Sequence, residues 1–167
     1  FIRQALDSGA SAVLAEAESL TVEVLEGVPV VKMPAVKEQL SLIAGTFFGH
    51  PSRHAKVIGV TGTNGKTSVT HLIAQLAKAM GHEAAVIGTT GSGLIGRLLP
   101  EKHTTPDAVT VQQRLATMVA EGAQWIAMEV SSHALVQRRV EALSFSSVAV
   151  TNISRDHLDY HGTMDNY

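Results

Sequence analysis

An apolar run, residues 56–61, passes directly into Gly62-Thr63-Asn64-Gly65-Lys66-Thr67, and an amphipathic helical pattern begins at once after it. Few folds accommodate that order. A strand that ends in a glycine turn and restarts as a helix aims backbone N–H groups, and the positive end of the helix dipole, at one point. Glycine lets the backbone take positive φ and come close to a ligand. A polyphosphate suits that point, with Lys66 neutralising its terminal phosphates and the Thr67 hydroxyl as a ligand for Mg²⁺. The spacing departs from strict G-x-x-x-x-G-K-[ST]: Val60 stands five positions before Gly65, with glycines nearby at Gly59 and Gly62. A turn that merely joins strand to helix is the plainer reading. The succession of strand, glycines, Gly-Lys-Thr and helix favours phosphate binding.

Elsewhere, short β-rich runs (residues 11–15, 28–32, 56–61, 84–89, 125–130 and 147–151) alternate with helical spacing. Met33, Val36, Leu40, Ile43 and Phe47 fall on one helical face, as do Val69, Leu72, Ile73, Leu76 and Met80, and then Val111, Leu115, Met118 and Val119. Gly81 and Gly122 end the second and third of these helices, where glycine serves as a C-terminal cap. Thr105-Pro106-Asp107 reads as N-cap, first-turn proline and first-turn acid of the third. Alternation of this kind predicts an α/β fold: a mostly parallel sheet with helices on both faces. Residues 91–99, rich in glycine and leucine, predict a loop or hairpin. His50-Pro51-Ser52-Arg53-His54 is the expected boundary between residues 1–50 and 51–167.

Composition narrows the function. Of 167 residues, 45% are hydrophobic and 17% charged, enough to build a core and too apolar for a disordered chain. Thirteen Lys plus Arg against 15 Asp plus Glu, a net charge of −2, gives no basic excess for nucleic acid or a membrane surface. With no cysteine, disulfides, thiolate zinc sites and a Cys nucleophile are excluded. No apolar run is long enough for a membrane span, and the start carries no signal-peptide pattern, so a cytoplasmic protein is expected. Phe1 opens the chain without Met, and Tyr167 follows directly on a polar cluster, so the chain reads as a piece of something longer.

Three further clusters carry chemistry. The run 125–129 is a strand ending in an acid, which places Glu129 at the carboxyl edge of the sheet beside the loop, as a ligand of Mg²⁺ directly or through water. Ser131-Ser132-His133 invites a Ser-His nucleophile, but adjacent residues lack that geometry and no G-x-S-x-G is present; capping of a helix or bonding to a ligand is expected. Arg138 and Arg139 follow, the former expected on a solvated face. Asn152-Ile153-Ser154-Arg155-Asp156-His157-Leu158-Asp159-Tyr160-His161-Gly162 follows the last strand. His157 and His161 have i,i+4 spacing, but no H-E-x-x-H pattern supports zinc, and a loop in which one His supports a second metal or a phosphate is expected. Asp159-x-x-Gly162 imitates a G-protein switch, yet no N-K-x-D is present.

Together these residues resemble the Mur ligases of bacterial cell-wall synthesis. The resemblance lies in Thr61-Gly62-Thr63-Asn64-Gly65-Lys66-Thr67, Thr104-Thr105-Pro106, Glu129-Val130-Ser131-Ser132-His133-Ala134-Leu135 and Ser154 through Gly162. It is strongest to the branch that adds the third residue of the peptide stem. It implies a P-loop ATPase-like central domain, present in part (51–167), preceded by the end of a smaller α/β domain that binds a uridine-nucleotide substrate (1–50). It implies an ATP-dependent amide ligase that joins meso-diaminopimelate or L-lysine to UDP-N-acetylmuramoyl-L-alanyl-D-glutamate through an acyl phosphate, acting as a monomer. Gly62, Thr63, Asn64, Gly65, Lys66, Thr67 and Ser68 would bind ATP. Thr67, Glu129 and His157 would hold Mg²⁺, and Lys66, Glu129 and His157 would form the catalytic set. Thr104, Thr105, Ser131, Gln137 and Arg139 would contact the muramoyl-dipeptide, while His103 stands where some relatives have Asn. A carbamoylated lysine and a third domain would lie beyond Tyr167, so residues 1–167 alone are expected to have little ligase activity. Folylpolyglutamate-synthase-like or cyanophycin-synthetase-like ligases share the loop and are the alternatives, with a non-catalytic nucleotide-binding module behind them.

Overall fold

A computed structural model describes residues 1–167, and their contacts divide into two units, Phe1–Leu40 and Ser41–Tyr167. In the first, helix α1 (Ile2–Asp7) precedes strands β1 (Val13–Glu16), β2 (Thr21–Leu25) and β3 (Val28–Met33). The sheet order is β1-β3-β2, with β1 parallel and β2 antiparallel to β3. Strand β2 is an addition to the sequence reading. Its Val22 and Val24 face solvent, so it shows no buried run. The signal was the two-residue turn Glu26-Gly27, whose positive φ values of 53° and 81° suit a tight hairpin. At the end of β1 the Glu16 carboxylate accepts the backbone N–H groups of Ala35 (2.6 Å) and Val36 (2.9 Å) and so caps helix α2 (Val36–Phe47).

The division falls within α2. Its second half belongs to the second unit, where Ser41 Oγ accepts from Ala142 N at 3.1 Å and Ser41 O from Gln112 at 3.5 Å. The polar stretch expected as a boundary therefore lies inside the second unit. It forms a short 3-10 turn, Pro51–Arg53, with buried Ser52 accepting from Ser144 N at 3.0 Å.

The second unit carries β4 (Lys56–Thr61), α3 (Lys66–Ala79), β5 (Ala84–Gly88), β6 (Gly91–Leu94), α4 (Ala108–Ala120), β7 (Trp125–Glu129), α5 (Ser132–Val136), β8 (Ser147–Val150) and α6 (Leu158–His161). The sheet order is β6-β5-β7-β4-β8, and every pairing is parallel except that of β6. Residues 91–99 form a hairpin, closed by the bridge between Ser92 and Leu99. Along β5 the faces alternate. Ala85 and Ile87 pack in one cluster with Val111, Leu115 and Met118 of α4, while Ala84 and Val86 pack in another with Ala74 and Ala77 of α3. The two helices thus cover opposite faces, as the alternation predicts.

Which side of a helix is buried was less legible. For α4 the expected Val111, Leu115 and Met118 are indeed inside. For α3 the buried residues are Thr70, Ala74 and Ala77, and Leu72, Leu76 and Met80 are 56%, 63% and 67% exposed. Small residues let the helix backbone approach the sheet closely, and larger ones on that side would hold it off. In α2 the buried residues are also small, Ser41, Ala44 and Gly45, with Gly45 lying against Gln112 of α4. Met33 belongs to β3, and Phe47 is exposed.

The N-cap of α4 is Asp107 rather than Thr105. Its carboxylate accepts from Val109 N (3.1 Å), Thr110 N (3.0 Å) and Thr110 Oγ1 (2.7 Å). Burial tends to raise this carboxyl, but the bonds from Thr110 and Val109 outweigh it and hold the group below the usual carboxylate range. Asp107→Ala is expected to cost about 1 kcal/mol at neutral pH. A depressed folded value means the contribution is complete above the unfolded carboxyl value, about 3.9, and is lost as pH falls through the folded one. The gap between wild type and variant in thermal unfolding should therefore close below about pH 4.

Candidate functional site

Strands β4, β5, β7 and β8 are parallel, so their carboxyl ends open on one edge. There the chain after β4 turns through Gly62 (φ 128°) and Gly65 (φ 83°) into α3. A Cβ on Gly62 would collide with Thr151 Oγ1 and the Asn152 carbonyl, so only glycine fits. Nothing lies within 4 Å of a Cβ on Gly65, which caps α3 in a left-handed conformation and leaves the space above the helix start open. The segment after β8 clasps the loop. Asn64 N donates to Asn152 Oδ1 (3.1 Å), and Asn64 O accepts from Asn152 Nδ2 (2.9 Å) and Thr151 Oγ1 (2.6 Å). Thr63 N donates to Asn152 O (2.9 Å), and its hydroxyl meets both Ser154 N (2.9 Å) and the Tyr167 hydroxyl (2.8 Å). Lys66 curls over the loop, its Nζ 2.6 Å from Gly62 O and 3.0 Å from Thr63 O. Ser68, at the start of α3, is exposed.

Glu129 ends β7 with its side chain 1% exposed. Both carboxylate oxygens lie 3.0 Å from Thr67 Oγ1, one accepts from Thr89 N (2.8 Å), and the other is 3.4 Å from Thr89 Oγ1. Gly88 is glycine because a Cβ there would collide with Glu129 Oε1. Every hydrogen-bond partner of this buried carboxylate is neutral. Burying an anion without a counter-charge is costly, and a divalent cation held by Glu129 with the adjacent Thr67 hydroxyl would supply one. The donor set is all oxygen, as Mg²⁺ prefers. No cluster of three or more His, Asp or Glu side chains forms a preassembled metal cage.

A second feature at this edge is a pocket of about 240 Å³ lined by His103, Thr104, Thr105, Ser131, His133, Arg139 and His157. Thr105 is buried. Its hydroxyl donates to Glu129 O (2.8 Å) and accepts from Ser131 N (3.0 Å), tying the pocket wall to the end of β7. Thr104 Oγ1 accepts from Thr89 Oγ1 (3.1 Å). Ser131 caps α5 by accepting from Ala134 N (3.2 Å), one of the two roles expected in place of a nucleophile. Arg139 donates to Thr105 O (2.6 Å) and to Gln137 Oε1 from Nε (2.9 Å) and Nη2 (2.5 Å). Gln137 itself is engaged at both ends of its amide, with Nε2 donating to the Tyr160 hydroxyl (3.1 Å). His157 sits in a left-handed conformation (φ 50°), its Nε2 3.6 Å from the Asp156 carboxylate and its ring 4.9 Å from that of His133. Burial, reinforced by His157, His161 and Arg139 and opposed by Asp159, holds His133 below the ordinary imidazole value, so it is the neutral ring at pH 7.

The expected site residues thus form two groups on one sheet edge: the loop with Thr67 and Glu129, and the pocket with Thr104, Thr105, Ser131, Arg139 and His157. Sequence reasoning missed Thr89, Asn152, Tyr160 and His133 as parts of the site. Thr89 had a signal, since it directly follows β5 at the same edge. His133 and Tyr160 stood in the quoted motifs without a role. Ser132 Oγ lies 2.9 Å from Nε2 of buried His161, a Ser-His contact between residues distant in sequence.

The family model described as the Mur ligase middle domain matches residues 60–167. The UDP-N-acetylmuramoyl-L-alanyl-D-glutamate--2,6-diaminopimelate ligases of Haemophilus influenzae strains 86-028NP and PittGG are each 50% identical over 171 aligned positions. The match covers 100% of this chain and 35% of each relative, so the chain spans about a third of their length. A solved structure of an enzyme of the same name superposes with a TM-score of 0.79 at 35% identity, over 99% of this chain and 32% of that one. MurF from Acinetobacter baumannii shares the fold, with a TM-score of 0.61 at 15% identity over 99% of this chain and 32% of its own. With its family model matched over residues 60–167 and relatives half identical along its whole length, the chain belongs to the Mur ligase family, through that family's middle domain.

Proposed function

We propose that the protein is an ATP-dependent amide ligase that adds the third amino acid to UDP-N-acetylmuramoyl-L-alanyl-D-glutamate in peptidoglycan precursor synthesis. The observation that carries this reading is the pairing of Thr67 with buried Glu129, whose hydrogen-bond partners are all neutral, directly behind the loop. The relatives named above are diaminopimelate ligases, which favours meso-diaminopimelate over L-lysine. The second unit, Ser41–Tyr167, then belongs to the ATP-binding domain and the first, Phe1–Leu40, to the end of a uridine-nucleotide domain. No helix is long and apolar enough to cross a membrane, in keeping with a cytoplasmic enzyme acting on a nucleotide-linked sugar.

The chemistry follows from the groups present. Backbone N–H groups of Gly65 to Ser68, at the start of α3, receive the β- and γ-phosphates of ATP, while those of Thr63 and Asn64 stay bonded to Asn152. Lys66 exchanges its two loop carbonyls for phosphate oxygens, which gives its ammonium an anionic partner. Thr67 and Glu129 would hold one Mg²⁺, and His157 would take part in holding a second at the pocket. These ions supply charge neutralisation at the transferring phosphoryl group. Arg139, Thr104 and Ser131 orient the muramoyl-dipeptide so that its D-glutamyl carboxylate faces the γ-phosphate. That carboxylate takes the γ-phosphoryl group as ADP leaves, and the amine of the incoming amino acid then attacks the acyl carbon, expelling inorganic phosphate and losing a proton as the amide forms. Phosphoryl transfer of this kind depends on positioning and charge rather than on a protein nucleophile, and none is offered here.

The test is phosphate release by the full-length protein given ATP, Mg²⁺, UDP-N-acetylmuramoyl-L-alanyl-D-glutamate and one amino acid. Release is expected with meso-diaminopimelate and much less with L-lysine. No release dependent on the muramoyl substrate with either amino acid would overturn the reading.

A further inference from the structure

Arg139 has five N–H donors, and three are committed within the protein. Nε and Nη2 share Gln137 Oε1, and Nη1 donates to Thr105 O. One N–H on each terminal nitrogen remains, free to meet the oxygens of a carboxylate or phosphate. Such a fork is selective only if the guanidinium plane is held. Thr105 O, on a buried residue, holds one end. The other end depends on Gln137, an exposed side chain with three rotatable torsions whose amide would otherwise sample many positions. Its Nε2 is anchored on the Tyr160 hydroxyl at 3.1 Å.

Tyr160 is in turn well placed to act as an anchor. Its ring lies 4.1 Å from that of His133 with a 36° tilt and 5.0 Å from that of His161. His161 bonds Ser132 at the start of α5, and α6 follows directly on His157. One cluster of packed rings therefore contacts both the phenol and the turn of chain that begins at His157. We propose that Tyr160 is a positioning residue, which through Gln137 sets the plane of Arg139 and so tunes affinity for the anionic muramoyl-dipeptide. This inference rests on the reading of Arg139 as that substrate's anchor. Gln137 then acts on the arginine, with no need to touch the substrate itself.

Tyr160→Phe keeps the ring packing and removes only the hydroxyl. In the full-length protein it is expected to weaken calorimetric binding of UDP-N-acetylmuramoyl-L-alanyl-D-glutamate, and to raise its KM, about five-fold, the worth of one net hydrogen bond. The KM for ATP, kcat and the melting temperature should stay at wild-type values. In a Gln137→Ala background the same change should do nothing further. A Tyr160→Phe protein with unaltered substrate affinity, or one whose defect persists undiminished in the Gln137→Ala background, overturns the proposal. Arg139→Ala separates the two levels. If it weakens binding while Tyr160→Phe does not, only the positioning role falls. If it leaves binding untouched, the anchor reading and this inference fall together.

Discussion

Lys66→Ala should lower kcat/KM for ATP-dependent ligation by the full-length protein by about 10³-fold, the scale on which losing one fixed electrostatic contact to a reacting centre is felt. The fold should be indifferent, because Lys66 bonds only the carbonyls of Gly62 and Thr63, on a loop held independently by Thr151 and Asn152. Steady-state kinetics beside a thermal melt would check both halves. A variant with wild-type turnover would sink the assignment of this loop to the nucleotide.

Glu129 carries the second large effect, and two substitutions divide its roles. Glu129→Gln keeps the shape of a side chain that has no spare room against Gly88. The hydroxyls of Thr67 and Thr89 can rotate to accept from the new amide while Thr89 N keeps an oxygen partner. The fold should survive, while the charge that holds the cation is gone. Activity is expected to fall at least 10²-fold, with half-saturation moved to higher Mg²⁺ in a titration. Glu129→Ala should lose the same activity and also stability, about 1–3 kcal/mol, because Thr89 N is left without its partner in a buried site. Equal activity and equal Mg²⁺ dependence for wild type and Glu129→Gln would show that the carboxylate serves the fold alone.

The contrast between these two residues and the helices around them shows where sequence is readable. The phosphate loop is a local device. Gly62, Gly65, Lys66 and Thr67 act within one turn of chain, so their order in sequence is already their order in space. Glu129 is nearly as legible, because a parallel strand delivers its last residue to the same edge as every other parallel strand. The buried side of α3 was not legible in the same way. Apolar periodicity picks out Val69, Leu72, Ile73, Leu76 and Met80, yet of these Ile73 packs against the core while Leu72, Leu76 and Met80 are exposed, and the residues buried are Thr70, Ala74 and Ala77. A helix pattern reports which residues are apolar, while close packing on a sheet selects those that are small. Strand β2 escaped notice for a related reason, since a two-faced, exposed strand leaves no hydrophobic signature beyond its turn.

The pocket is the part that tertiary structure decided. Arg139 meets Thr105 across 34 residues, Ser132 meets His161 across 29, and Gln137 meets Tyr160 across 23. Each of those side chains could have paired with water or with a neighbour in sequence. Their partners follow from strands β7, β4 and β8 lying in register, which brings the segments after them to one edge. Sequence by itself determined the α/β alternation, the loop and the acid behind it, because each depends on local backbone geometry or on strand direction. Which hydroxyl steadies which amide, and which face of a helix is small enough to bury, waited on the fold, because hydrogen bonds and van der Waals contacts depend on distances that no spacing along the chain encodes.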